Sequence, residues 1–135
     1  MSVLVGGMGG ASLLLVALVF HRIAGRIRSG ALTRNPLAGV RTAATMRSDA
    51  AWSAGHRAAE PLMRVTARVA AIAGIATLVP ALALRVAGVA DSVALVPTLV
   101  VFAVGCAAFL GLTTWSAVLA DRAARATPPP SEHGG

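Results

Sequence analysis

Three long stretches of this chain carry no charge, and the rest of the sequence is arranged around them. Met1 to Phe20 contains no ionisable side chain, Val69 to Leu84 is uncharged, and so is Val93 to Ala120. The second stretch reaches back to Val65 once the Arg68 side chain snorkels toward the lipid headgroups. Crossing a hydrocarbon core of about 30 Å takes roughly 20 helical residues at about 1.5 Å each. Lipid cannot satisfy free backbone polar groups, so apolar runs of this length predict helices. A barrel would need short alternating strands, and the chain has none of that alternation. The pattern therefore predicts an all-α, integral membrane three-helix bundle. It forms a single membrane domain over 1–125, with spans at about 3–21, 62–86 and 93–120. The segment 126–135, rich in proline and polar residues, has nothing to bury and predicts a disordered tail in which His133 does no chemistry.

Composition agrees with a lipid-facing surface. Hydrophobic residues make up 56% of the 135 positions and charged residues 13%, against about a quarter charged in soluble domains. The net charge is +7, and every basic residue is arginine. Arg22, Arg26, Arg28, Arg34, Arg41, Arg47, Arg57 and Arg64 fall in the first connection, opposed there only by Asp49 and Glu60. Under the positive-inside rule that connection stays cytoplasmic. The expected order is N-terminus outside, first connection inside, 86–92 outside and C-terminus cytoplasmic, which Arg122 and Arg125 support. The N-terminal run lacks the positive region that precedes the apolar part of a secretory signal, which suits a retained helix.

Inside the spans the chemistry is sparse. Gly6 and Gly10, Ala70 and Gly74, and Ala103, Ala107 and Gly111 have the spacing that lets helices approach closely. Packing within the bundle is the ordinary use of such residues; a homo-oligomer or docking against another membrane protein is the other. Pro80 predicts a kink in the second span, and Pro97 lies in the first turns of the third. No Asp, Glu, His or Lys occupies a midplane, which argues against a proton relay or ion-coupled transport. Cys106 is a lone packing residue, so no disulfide and no metal set are expected. Trp115 fits the aromatic belt.

The connection from His21 to Arg64 is long, and it does not read as disordered. Asn35-Pro36 is a turn signal. Ser48 predicts an N-cap, with Asp49 well placed in the first turn, for a short helix over about 48–60. Pro61 then suits the first turn of the second span. Trp52, Gly55, His56 and Ala59 fall on one face of that short helix. The expectation is an interfacial helix lying beneath the bundle, its indole at headgroup depth and Gly55 against a span. Taken singly, His56 reads as a hydrogen-bonded structural histidine and Trp52 as an anchor. Arg41 reads as a contact for lipid phosphates or turn carbonyls, and Thr42, Thr45 and Ser48 as local caps. No nucleophile, base and orienting acid come together, and there is no metal pattern, phosphate loop or cofactor motif, so no enzyme is expected. Nucleic-acid binding is disfavoured because the arginines adjoin the bilayer and lack interleaved aromatics.

The string as a whole is more specific. Asn35, Gly39, Val40, Arg41, Thr42, Thr45, Ser48, Trp52, His56 and Arg57 stand at the spacing of a signature that resembles the SdpI family of small bacterial membrane proteins, followed by two transmembrane helices. The resemblance runs from about Asn35 through the third span. It departs at Glu60, near where members carry glycine, and in size, since the namesake type has additional helices. It implies a cytoplasmic cap in which Asn35 and Gly39 shape a turn, Arg41 bridges it, Thr45 and Ser48 start the helix, and Trp52 and His56 lock it to the bundle. It also implies the bacterial inner membrane, and immunity to a secreted peptide toxin or signalling to a cytosolic protein. The alternative is a structural accessory subunit of a larger membrane complex.

Overall fold

The computed structural model describes residues 4–128. The expectations for the first three residues and for 129–135, His133 included, lie outside that range. All regular structure among the described residues is helical. A short π-helical turn, Val5–Gly9, leads into α1, Gly10–Arg28. Four glycines between positions 5 and 10 loosen the α ladder there. A twenty-residue connection follows, then α2, Asp49–Val86, and α3, Asp91–Arg125. All three helices are long and apolar enough to cross a membrane. The helix α2 is central and packs against both neighbours. Between α2 and α3 the chain turns at Gly88, whose φ of +71° accepts the left-handed conformation that ends a helix. There the Val89 amide donates to Leu84 and the Gly88 amide to Arg85, which satisfies two of the last carbonyls of α2.

The short interfacial helix is not present as a separate element. Its residues are helical and capped by Ser48, whose hydroxyl accepts from the Ala51 amide, but they run without a break into the second span. Pro61 lies inside α2. It cannot donate to the Arg57 carbonyl, a loss that normally ends or bends a helix. Here the buried residues Trp52, Gly55, His56 and Ala59 before it and Met63, Thr66 and Ala67 after it seat on one continuous packing surface, and tertiary packing overrides the break. Pro80 is likewise contained within the helix. At 38 residues α2 is about 57 Å long, far more than a bilayer core of about 30 Å. Its uncharged half begins after Arg68, so the half carrying Asp49, Arg57, Glu60 and Arg64 is the part that stands out of the hydrocarbon. The same end of the molecule holds Arg22, Arg26 and Arg28, because α1 continues seven residues past the expected end of its span.

The spans meet through small residues. A Cβ on Gly10 would come within 2.9 Å of the Gly74 carbonyl, and one on Gly74 within 2.9 Å of the Gly10 carbonyl, so α1 and α2 touch backbone to backbone. Gly6 packs against the Ala81 methyl, with which a Cβ at Gly6 would collide. On α3 the contact glycine is Gly105, against Ala73. Ala103, Ala107 and Gly111 all face outward, and a Cβ on Gly111 would meet nothing. The small-residue ridge expected to pack α3 into the bundle is therefore on its outer face. Periodicity marks such ridges without saying which one points inward.

Candidate functional site

The signature residues gather into one cap at the arginine-rich end, and the connection folds over α2 to make it. The Asn35 carboxamide organises the first turn. Its Oδ1 accepts from the Leu37 and Ala38 amides at 2.9 and 2.8 Å, while Nδ2 donates to the Thr33 carbonyl at 2.8 Å. Arg41 donates from Nη1 to the Pro36 carbonyl and so bridges this turn. Gly39 has φ +100°, outside the range that L side chains favour. A Cβ there would also collide with His56 Nε2 and stand 3.2 Å from the Trp52 ring. Backbone conformation and space both require glycine.

One turn of α2 clasps the loop at two points. Trp52 Nε1 donates to the Leu32 carbonyl at 2.9 Å, and the Val40 amide donates to His56 Nε2 at 2.8 Å. His56 Nδ1 lies 2.9 Å from the Trp52 carbonyl. Because Nε2 must offer a lone pair to an N–H, the proton sits on Nδ1 and is donated to that carbonyl. Both ring nitrogens are thereby committed. The imidazole also lies over the indole, with centroids 4.0 Å apart and planes tilted by 33°. Trp52 is 1% exposed and His56 2%. The tryptophan is thus packed inside the protein rather than presented to headgroups. It is the centre of a buried cluster with Ala24, Ile27, Leu32 and Met63, flanked by Phe20, Ile23 and Val40. The helix that carries it is wrapped by α1 and the loop, and no flat interface is left for it to lie on.

The second half of the loop is fastened by threonines. The Thr45 hydroxyl is fully buried, accepts from the Thr42 amide at 2.9 Å and donates to the Val40 carbonyl at 2.8 Å. Thr42 Oγ1 in turn accepts from the Thr45 amide at 3.2 Å. Ser48 starts the helix as expected; Thr45 ties the loop to itself. Gly55 lets α2 meet α3, since a Cβ there would lie 2.7 Å from the Ala120 carbonyl and 3.0 Å from the Thr45 methyl.

Two arginines that appeared only as charge are structural clasps. Arg47 Nη2 donates to the carbonyls of Ala124 and Thr127 at 3.0 and 2.6 Å, which ties the loop to the C-terminus of α3, where a cation is favourable. Arg34 donates to the Met46 carbonyl and pairs with Asp49 at 2.9 Å. Neither role has a signature in a single sequence, because an arginine that caps a distant helix looks like any other surface cation.

Chemically the cap is closed on itself. Its histidine is occupied at both nitrogens. No group of three or more His, Cys, Asp and Glu that could hold a metal occurs among the described residues. The larger of two openings at the cap is a cavity of about 350 Å³ between the loop and the bundle; the smaller, about 80 Å³, lies beside His56, Leu32 and Ser53. In the larger, Phe20, Ile23, Met63 and Ala117 form apolar walls, and Arg41 and Thr42 are among the polar residues.

The architecture defines a multi-pass membrane protein whose long connection folds into a compact cap over one end of a three-helix bundle. The model of the SdpI/YfhL protein family matches residues 31–116, from the start of the cap to the last third of α3, and the chain belongs to this family. No curated protein and no solved structure gives a significant match.

Proposed function

We propose that this protein acts by binding, without catalysis, in immunity to a membrane-active peptide or in transmembrane signalling, at a bacterial inner membrane. The observation that carries this reading is the family match over the cap and both following helices. A cap whose Asn35, Trp52 and His56 polar groups are spent on the chain's own backbone accords with it, since such a cap is suited to holding a shape that a partner reads. The reading also places the N-terminus outside and the cap and C-terminus in the cytoplasm, on the strength of the arginine distribution.

Deleting the gene and challenging cells with a panel of membrane-active peptides tests immunity. Increased sensitivity to at least one, restored by the wild-type gene, is expected; unchanged sensitivity across the panel would remove this reading. Orientation is tested separately in a Cys106→Ala background. Gly88→Cys should react with an impermeant maleimide added to intact cells and Ser29→Cys should not, and the reverse pattern would invert the topology.

A second reading, an accessory subunit of a larger membrane complex, is favoured by the outward ridge of Ala103, Ala107 and Gly111 on α3. Purification in mild detergent separates the two: a stable heteromer supports it, and a lone monomer or homodimer removes it.

A further inference from the structure

The cavity under the loop has features that neither the packing of the cap nor the family match uses. It is bounded by the Gly39–Thr42 loop, by α1, by α2 at Met63 and by α3 at Thr113, Ser116 and Ala117. Its depth follows from its neighbours. Phe20 precedes the His21-Arg22 pair, Met63 precedes Arg64, and Thr113–Ala117 flank Trp115, an exposed indole with the Arg122 guanidinium 6.0 Å from its ring centroid. These are the residues of a hydrocarbon–headgroup boundary. At that level the apolar walls face the acyl side and Arg41 stands where lipid phosphates lie.

Two observations point to a ligand. Arg41 gives one N–H to the Pro36 carbonyl, and a guanidinium carries five donors in a planar fork, so its charge and further donors remain for an anion. Thr113 Oγ1, on the cavity wall, is shielded from solvent and has no hydrogen-bond partner. A threonine in a helix commonly returns its hydroxyl to the carbonyl four residues back, as Thr66, Thr77, Thr98 and Thr114 do here. The nearby carboxylate, Asp121, pairs with Arg125 at 2.6 Å, which offsets its charge toward an anion in the cavity.

We infer that this cavity is a binding site for an anionic phospholipid, with Arg41 on its phosphate, the Thr113 hydroxyl available to the ester region, and the apolar walls holding the first acyl carbons. A membrane-active cationic peptide suits it less well, because it would meet an arginine-rich rim with like charge. The inference needs the membrane placement alone and stands apart from immunity or signalling.

The test is lipid retention by the full chain in mild detergent, read by native mass spectrometry with phosphatidylglycerol or phosphatidylcholine added. Phosphatidylglycerol should be retained and phosphatidylcholine lost. Arg41→Gln should weaken retention about fivefold, the scale of one arginine against an anionic headgroup. Ala117→Phe, which fills the cavity, should weaken it at least as much, and Thr113→Val, which keeps the fold and shape, should weaken it measurably. Arg28→Gln, at the exposed end of α1, should leave it unchanged. Millimolar inorganic phosphate should not compete, which identifies the lipid rather than a free anion. Equal retention of the two lipids, equal loss with Arg28→Gln, or full retention in both Ala117→Phe and Thr113→Val would each overturn the assignment. So would displacement of phosphatidylglycerol by phosphate alone.

Discussion

The two halves of this molecule are held together by different physics. In the lipid-facing half the helices meet through Gly10 and Gly74, Gly6 and Ala81, and Gly105 and Ala73. The buried hydroxyls of Thr66, Thr77, Thr98 and Ser116 each return to the carbonyl of their own helix four residues earlier. In the cap, large side chains and directional bonds across the chain take over: Trp52 to Leu32, Val40 to His56, Arg47 to Ala124 and Thr127. The difference follows from the solvent. Lipid tails are as apolar as the helices they surround, so burying a large apolar side chain gains little there, and close backbone packing is what holds helices together. At the cap the competitor is water, so apolar burial contributes and each polar group removed from water needs a partner.

If that contrast holds, the largest effect in the chain belongs to Trp52. Trp52→Ala removes a buried indole and leaves a cavity, at a cost of about 3–5 kcal/mol. It should lower both the midpoint of thermal unfolding in detergent and the amount of protein in the membrane. Trp52→Phe keeps most of the volume but strands the Leu32 carbonyl, for about 1–3 kcal/mol. A Trp52→Ala protein as stable as wild type would erase the distinction between the halves.

Gly39 sharpens it. Gly39→Ala meets an unfavourable φ and a collision with His56 together, and should cost about 2–3 kcal/mol. Gly88 has φ +71°, close to the left-handed region that L residues can adopt, and open space around it, so Gly88→Ala should cost only about 1 kcal/mol. The excess at Gly39 combines its less favourable φ with the collision against His56. Equal costs would mean that neither constrains the loop.

The spans supply the reciprocal experiment. Gly74→Ala would place its Cβ 2.9 Å from both the Gly10 carbonyl and the Leu14 side chain, and should push α1 from α2 at about 1–3 kcal/mol. Gly111→Ala, on the outer face of α3, should be neutral in a monomer. A loss of stability at Gly111 would instead reveal a partner on that face.

How much of this was legible beforehand divides along the same line. The three spans could be read because uncharged runs of sufficient length have one structural solution in lipid, and the signature located the cap because its residues are close in sequence. Ser48 as a helix cap and Asn35 as a turn former act within a few residues of themselves, and both appear as read. What escaped was everything that depends on elements distant in sequence. Pro61 marks a helix boundary by local rules, yet α2 passes through it because the packing on either side is continuous. Trp52 beside a span looks like an interfacial anchor until Leu32, twenty residues earlier, is seen to accept its N–H. Arg47 shows nothing of Ala124 in its neighbourhood. The cavity at Arg41 and Thr113 joins residues more than seventy positions apart, and no spacing rule reaches that far.

The smallest expected effect belongs to the exposed edge of the cap, where the contrast ought to fade. Arg34 and Asp49 pair at 2.9 Å, but their side chains are 38% and 83% exposed. Water and salt screen such a pair, and holding two mobile side chains in one geometry costs entropy. Arg34→Gln should therefore cost no more than about 1 kcal/mol, part of it from the Met46 carbonyl that its guanidinium also reaches. Asp49→Asn should cost a few tenths more than its lost pairing, because the carboxylate also faces the N-terminus of α2. In a double-mutant cycle the coupling should stay below about 1 kcal/mol and vanish by about 1 M salt, where the screening length falls to about 3 Å. A coupling that persisted in salt and approached the Trp52 effect would mean that this edge is covered in the native membrane, and that the cap is only part of a larger interface.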